Sequence, residues 1–223
     1  MTELPYDAVL FDLLTALVDS WTLWGQVAGS PEAGRRWRGA YLEKTYAQGP
    51  YRDYEALVAE AAEECGYPRS WSRELARRTD ELAPWPGVTE TLTHLKALVK
   101  IAVVTNCSEG LGQRAVARVG VAFDVVVTAE RAGFYKPHPR PYELALHELG
   151  VPRERALFVA GSAYDLIGTD RVGLATVWHN APGLPLPPAV VAANVAPPLG
   201  ELRTIAPLAD LVSPRAGSPR RSA

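Results

Sequence analysis

The chain has 223 residues, 48% of them hydrophobic, and its 23 Lys and Arg against 25 Asp and Glu leave a formal net charge of -2. That length supports one large domain or a domain carrying an insertion, and the balanced charge excludes the basic excess that nucleic acid or an anionic membrane would call for. No run of about 18 apolar residues occurs, the start MTELPYDAVLF lacks a basic leader region, and Cys65 and Cys107 stand in no CxxC or metal-ligand spacing, so the expectation is a protein of the reducing cytoplasm, neither secreted nor membrane-spanning, that acts on small soluble molecules.

The first element in chain order is DAVLFDLL (7–14), a short apolar run of buried-strand length that carries Asp12 near its end. Residues 17–86 hold several helical patterns, among them SPEAGRRWRGAYLEKTYAQ and DYEALVAEAAEECG, and close on the turn-rich APWPGV. Four further runs read as strands: VKIAVVTN (99–106), FDVVVTAE (123–130), RALFVAG (155–161) and LATVWHN (174–180). Helical spacing fills 109–119, 139–149 and 164–172 between them. Strand and helix in alternation predict an α/β fold: a Rossmann-like parallel sheet with helices on both faces and ligands at the carboxyl ends of the strands. The expected division is a core of 1–16 and 87–213, an inserted α-helical cap of 17–86, and a polar, Pro/Ser-rich disordered tail of 214–223.

Asp12, Thr105, Asn106 and Asp165 fall at or just past strand ends. A carboxylate so placed can attack an electrophilic carbon or phosphorus and divide one hard displacement into two easier steps through a covalent ester or acyl phosphate. A lysine within about 4 to 6 Å lowers such a carboxyl by roughly 1 to 3 pKa units. Lys136, held extended by the following Pro137, is the candidate. Cys107 lacks a His and acid arrangement and reads as a packing residue. His138, His147 and His179 lack metal-ligand spacing, and the RRWR cluster is too short to form a nucleic-acid patch.

With FDLLTALVDS, VVTNCS, YKPHPRPY and FVAGSAYDLIG in this order, the chain resembles the haloacid dehalogenase-like hydrolase superfamily. The resemblance implies Asp12 as nucleophile, Thr105 as the hydroxyl of the second motif, Lys136 as the lysine of the third and Asp165 as the acid of the fourth. Phosphatases of that superfamily carry a second acid two residues after the nucleophile, where this chain has Leu14, and a further acid where it has Gly161. Leu14 cannot protonate a leaving oxygen, a loss of about 10² to 10⁴ in rate. Halide departs without a proton, so an apolar neighbour is tolerable and helps strip water from the nucleophile.

The L-2-haloacid dehalogenase group is the branch the remaining motifs resemble most. WRGAYLEKTY places Arg38 at that group's arginine, KPHPRPYELALHELG supplies Tyr142, and FVAGSAYDLIG ends on Tyr164 and Asp165. The resemblance implies hydrolytic, metal-independent dehalogenation of a small 2-halo carboxylic acid and dimerisation through the cap. Arg38, Asn106, Leu14, Tyr142, Ser162 and Tyr164 would then line or orient the substrate, and Asp165 would position Lys136 or the hydrolytic water. Three polar positions of the group are changed: its hydroxyl four residues after the nucleophile is Ala16, with Thr15 one position early, and the fourth motif has Ala160 and Ser162 for serine and asparagine. Two alternatives therefore stand beside dehalogenation: a phosphatase holding Mg²⁺ on Asp12 and Asp165, and a non-catalytic relative that binds a ligand or partner.

Overall fold

A computed structural model describes residues 5–213. The elements run β1 (Ala8–Phe11), α1 (Ser20–Val27), α2 (Pro31–Gln48), α3 (Tyr54–Glu64), α4 (Ser70–Arg77), α5 (Val88–Lys96), β2 (Lys100–Thr105), α6 (Glu109–Ala117), β3 (Val125–Thr128) and α7 (Ala129–Ala132). They continue with α8 (Pro139–Leu149), β4 (Ala156–Ala160), α9 (Asp165–Val172), β5 (Ala175–His179), α10 (Pro188–Ala192), β6 (Glu201–Leu202) and α11 (Leu208–Val212). All strands are parallel, in the order β3-β2-β1-β4-β5-β6. The order reverses between β1 and β4, and a crevice opens at the carboxyl ends there.

Both faces of the sheet are covered, which is why its strands read as continuous apolar runs. Val9, Phe11, Ile101, Val103, Leu157 and Val159 point to one face, where Leu92, Leu95, Leu111 and Ala115 pack. Ala8, Leu10, Ala102, Val104, Phe158 and Ala160 point to the other, against Tyr142, Leu146, Leu149 and Leu166. The alternation is the period of two that a pleated strand imposes.

Four helices, α1 to α4, lie in sequence between β1 and α5. Side-chain caps start the first three: Asp19 accepts from Thr22 N, Ser30 from Ala33 N with Pro31 at the first helical position, and Asp53 from Ala56 N. An aromatic cluster holds them together, with Trp24 4.2 Å from Trp37 and 5.2 Å from Tyr41 between ring centroids. Trp37 lies 5.4 Å from Trp71, and Tyr41 5.5 Å from Tyr54.

The five expected strands are present with shorter bounds, and two features differ. Thr128 ends β3 early because its hydroxyl accepts from Arg131 N and starts α7, so 129–130 are helical. The sheet also gains β6, two residues long, paired with Trp178 and His179. The expected disordered tail, 214–223, lies outside the described residues. Among the described residues no helix is long and apolar enough to cross a membrane.

Candidate active site

Asp12 stands one residue beyond β1, where the chain turns sharply back. Its Oδ2 accepts from Thr15 N at 3.1 Å, Thr15 Oγ1 at 2.6 Å and Ala16 N at 3.3 Å. The expected hydroxyl is therefore supplied from position 15, in place of the one absent at Ala16. The turn is braced from outside as well: Trp85 Nε1 donates to Thr15 O at 2.9 Å, and His179 Nδ1 donates to Ala16 O at 2.7 Å.

Lys136 is fully buried, with its Nζ 2.8 Å from Asp12 Oδ1 and 2.9 Å from Asp165 Oδ1. Asn106, at the end of β2, aims it: Asn106 Oδ1 accepts from Lys136 N at 2.7 Å, and Asn106 Nδ2 donates to Lys136 O at 3.0 Å. The Asn106 side chain thus frames the lysine and also borders the cavity over Asp12.

Helix α2 crosses the same end of the sheet. Arg38, Tyr41, Leu42 and Tyr46 recur at helical spacing on one face, and all four line a small cavity with Asp12, Leu14, Thr15, Thr105, Asn106 and Ser162. Three hydrogen bonds hold this face down: Arg38 Nη2 donates to Leu14 O at 3.4 Å, Tyr41 OH to Asn106 O at 2.7 Å, and Tyr46 OH to Asp165 Oδ1 at 2.6 Å. Arg38 is 1% exposed, and its Nε and Nη1 have no hydrogen-bond partner. Its guanidinium lies over the Trp21 and Trp24 rings at 4.6 and 5.3 Å. A buried cation with two unmet donor groups is costly unless an anion completes it.

The remaining expected residues sit around this centre. Thr105 is buried, and its hydroxyl accepts from the Cys107 thiol at 3.7 Å. Ser162 Oγ accepts from Tyr164 N at 3.4 Å, which leaves its proton free for the cavity. Tyr164 stacks on Tyr46 at 5.0 Å, outside the cavity wall. Tyr142 is buried under Gly168, with its hydroxyl beside the Asp165 carboxylate. Burial pushes the Cys107 thiol up to about 12, so it is not a nucleophile at neutral pH.

The two carboxyls are driven apart. Burial raises Asp12, but the Lys136 ammonium and the Thr15 hydrogen bonds outweigh it and hold the group below its ordinary value. At Asp165 burial dominates, reinforced by the Asp12 charge, and it outweighs Lys136 and the Tyr46 hydrogen bond, so this carboxyl is raised. Burial opposes the Lys136 charge, yet the flanking carboxylates raise its pKa above the usual lysine value. Paired acids separated in this way divide into an ionised nucleophile and a proton acceptor.

The donor set does not fit Mg²⁺. Lys136 Nζ already bridges the two carboxylates, and among the described residues no group of three or more His, Cys, Asp and Glu is placed to hold a metal. Gly161 shows why a further acid is missing. A Cβ there would lie 2.2 Å from Ala16 N, 2.4 Å from Thr15 Oγ1 and 2.6 Å from Asp12 Oδ2. A further carboxylate cannot be placed at position 161 without moving the nucleophile's turn, which leaves Asp12 and Asp165, both already on Lys136 Nζ.

Thr15, Tyr41, Tyr46 and His179 are the residues that motif reading underweighted. Thr15 and His179 were visible as a displaced hydroxyl and a strand-end histidine. Tyr41 and Tyr46 stand within the WRGAYLEKTY segment, and their only signal is the i, i+3, i+8 spacing from Arg38.

Comparison with known proteins identifies the family. The family model for haloacid dehalogenase-like hydrolases matches residues 6–173. An (S)-2-haloacid dehalogenase of Pseudomonas putida is 30% identical over 92% of this chain and 97% of its own length. A pyrimidine 5'-nucleotidase of Escherichia coli is 36% identical over 44% of this chain and 45% of its own length. The structure of the L-2-haloacid dehalogenase from Xanthobacter autotrophicus matches the fold with a TM-score of 0.78 at 24% identity, over 93% of this chain and 98% of that one. The chain belongs to the haloacid dehalogenase-like hydrolases.

Proposed function

We propose that the protein is a metal-independent hydrolase that converts small 2-haloalkanoic acids to 2-hydroxy acids. The observation that carries this reading is the placement of Lys136 Nζ between Asp12 and Asp165. It keeps the nucleophile ionised, while Leu14 and Gly161 stand where a phosphatase of the superfamily carries further acids, so no carboxyl there protonates a leaving oxygen.

Arg38 receives the substrate carboxylate or the departing halide on its free Nε and Nη1, with Leu14 and Leu42 as the dry wall. Thr105 and Ser162 add hydroxyl donors. Asp12 Oδ1 carries one hydrogen bond against three on Oδ2, so Oδ1 has the freer lone pairs. It attacks C2, forms a C–O bond with inversion, and the halide leaves with the C–X electron pair. Oδ2 becomes the ester carbonyl oxygen, already in contact with the Thr15 and Ala16 N–H groups that stabilise the oxyanion when water attacks. Asp165, the raised carboxyl, takes one proton from that water and returns it to the alkoxide as the acyl C–O bond breaks. The second water proton leaves as Asp12 regains its charge.

The helices α1 to α4 act as a cap over this centre. We place the protein in the cytoplasm as a homodimer; both cysteines are free thiols, which suits a reducing compartment. The test is halide release from L-2-chloropropionate and phosphate release from an aryl phosphate, each with Mg²⁺ and with a chelator. Metal-independent halide release that disappears in Asp12→Asn supports the reading. Phosphate release only with Mg²⁺ overturns it, and neither activity would leave a binding protein.

A further inference from the structure

Two linkers join the helices α1 to α4 to the sheet, and they run side by side. Val18 pairs antiparallel with Pro84, Asp19 N donates to Ala83 O at 2.8 Å, and Trp85 N donates to Leu17 O at 3.0 Å. Pro86 follows Trp85 and restricts its backbone to extended conformations. So placed, the Trp85 indole Nε1 donates to Thr15 O at 2.9 Å. That carbonyl belongs to the same peptide unit as Ala16 N, which donates to Asp12 Oδ2 at 3.3 Å. The indole holds one end of the peptide, and the other end faces the oxygen that becomes the ester carbonyl.

We propose that Trp85 is a positioning residue for the oxyanion: through the Thr15–Ala16 peptide it holds and strengthens one of the donors on Asp12 Oδ2. The proposal rests on the dehalogenation reading above. A hydrogen bond on the carbonyl fixes the peptide plane and polarises the amide, which makes its N–H a better donor. Trp85 touches no reacting atom, the cavity over Asp12 is lined without it, and it takes no part in the three hydrogen bonds that hold α2 over the sheet.

The two half-reactions respond to this donor with opposite sign. In the first, Asp12 Oδ1 bonds to C2, halide leaves with the C–X electron pair, and negative charge drains from Oδ2, so a donor there holds the nucleophile back. In the second, water oxygen bonds to Asp12 Cγ and the carbonyl π pair moves onto Oδ2, where the same donor now lowers the barrier. The pair returns as the acyl C–O bond breaks and the alkoxide takes up the proton that the water gave up. Loss of a whole oxyanion donor costs about 10² to 10³ in rate. Here one of three donors on Oδ2 is weakened and none is removed, so the expected change is roughly 10-fold.

The test compares native protein with Trp85→Phe, which keeps an aromatic ring and lacks the N–H, at saturating L-2-chloropropionate. Rapid quench and intact mass give the steady-state ratio of Asp12 ester to unmodified chain, which equals the halide-release constant divided by the hydrolysis constant. That ratio is expected to rise roughly 10-fold in the variant. Trp85→benzothienylalanine, which keeps the bicyclic ring and puts sulfur in place of the N–H, should give the same rise and decides the matter where Trp85→Phe does not fold. General loosening of the turn would slow both steps alike, so an unchanged or lower ratio overturns the proposal while native halide release leaves the dehalogenation reading standing. Native protein that releases no halide overturns that reading and this proposal together.

Discussion

Replacing Lys136 with Met tests whether one ammonium sustains the two buried carboxylates. The Nζ contacts of 2.8 and 2.9 Å are each worth roughly 6 kcal/mol of gross Coulomb attraction at an effective dielectric of about 20. Desolvation of three buried ions offsets most of this, and removal of one member of such a set typically costs about 3 to 5 kcal/mol. For a chain of this size that lowers Tm by about 6 to 20 °C. The deficit depends on pH in a defined direction. Without the ammonium, each carboxylate disfavours the other's charge, so the folded-state pKa of the pair rises above the unfolded value of about 3.9. Stability from such groups is present below the unfolded value and lost as pH rises through the folded one. The variant's deficit is therefore largest at neutral pH and shrinks as pH falls toward the ordinary carboxyl range, as the pair takes up one proton. Denaturation of both proteins across this range gives the difference directly. A Lys136→Met variant as stable as native at neutral pH, or with a deficit that does not change with pH, would refute the argument.

Three further outcomes follow from the same site. Asp12 is held low and Asp165 high, so the halide burst should persist at pH values where steady-state turnover has fallen, and intact mass should show the ester accumulating there. A single turnover in heavy-oxygen water should place the label in the Asp12 carboxylate and leave the first 2-hydroxy acid unlabelled; label in that product would mean direct attack of water on C2. Gly161→Asp should not create a Mg²⁺-dependent phosphatase: its Cβ meets Ala16 N, Thr15 Oγ1 and Asp12 Oδ2 within 2.6 Å, so halide release should fall by roughly 100-fold or more as the Thr15 bond and nucleophile turn are displaced, measured beside phosphate release with added Mg²⁺.

Much of the fold was legible because the parallel strands are buried on both faces and announce themselves as apolar runs such as VLF and IAVV. Asp12 and Asp165 stood out as polar residues past strand ends, and Lys136 through the YKPHPRPY motif. What could not be read is what depends on rotation of one element over another. Tyr41 and Tyr46 look like any helix aromatics until α2 is laid across β2 and β4. The framing of Lys136 by Asn106 was hidden for a related reason: sequence places Asn106 at the strand end, and the return of the Lys136 loop is what uses both ends of its amide. Thr15 recovers the hydroxyl missing at Ala16 because a tight turn brings residues 15 and 16 to the same oxygen. β6 is too short for alternation to register, and is held by pairing to Trp178 and His179.

The cavity over Asp12 measures about 10 Å³, room for roughly one water, so every productive encounter waits on a displacement of α2. Three hydrogen bonds, from Arg38, Tyr41 and Tyr46, must part for that to happen. At about 0.5 to 1.5 kcal/mol each, the admitting conformation is populated on the order of one molecule in ten to one in two thousand, and the apparent dissociation constant for substrate exceeds the intrinsic one by the same factor. Weak apparent affinity, a turnover that slows with solvent viscosity, and tighter binding after Tyr41→Phe would all come from this one closed door, with the reacting groups themselves untouched.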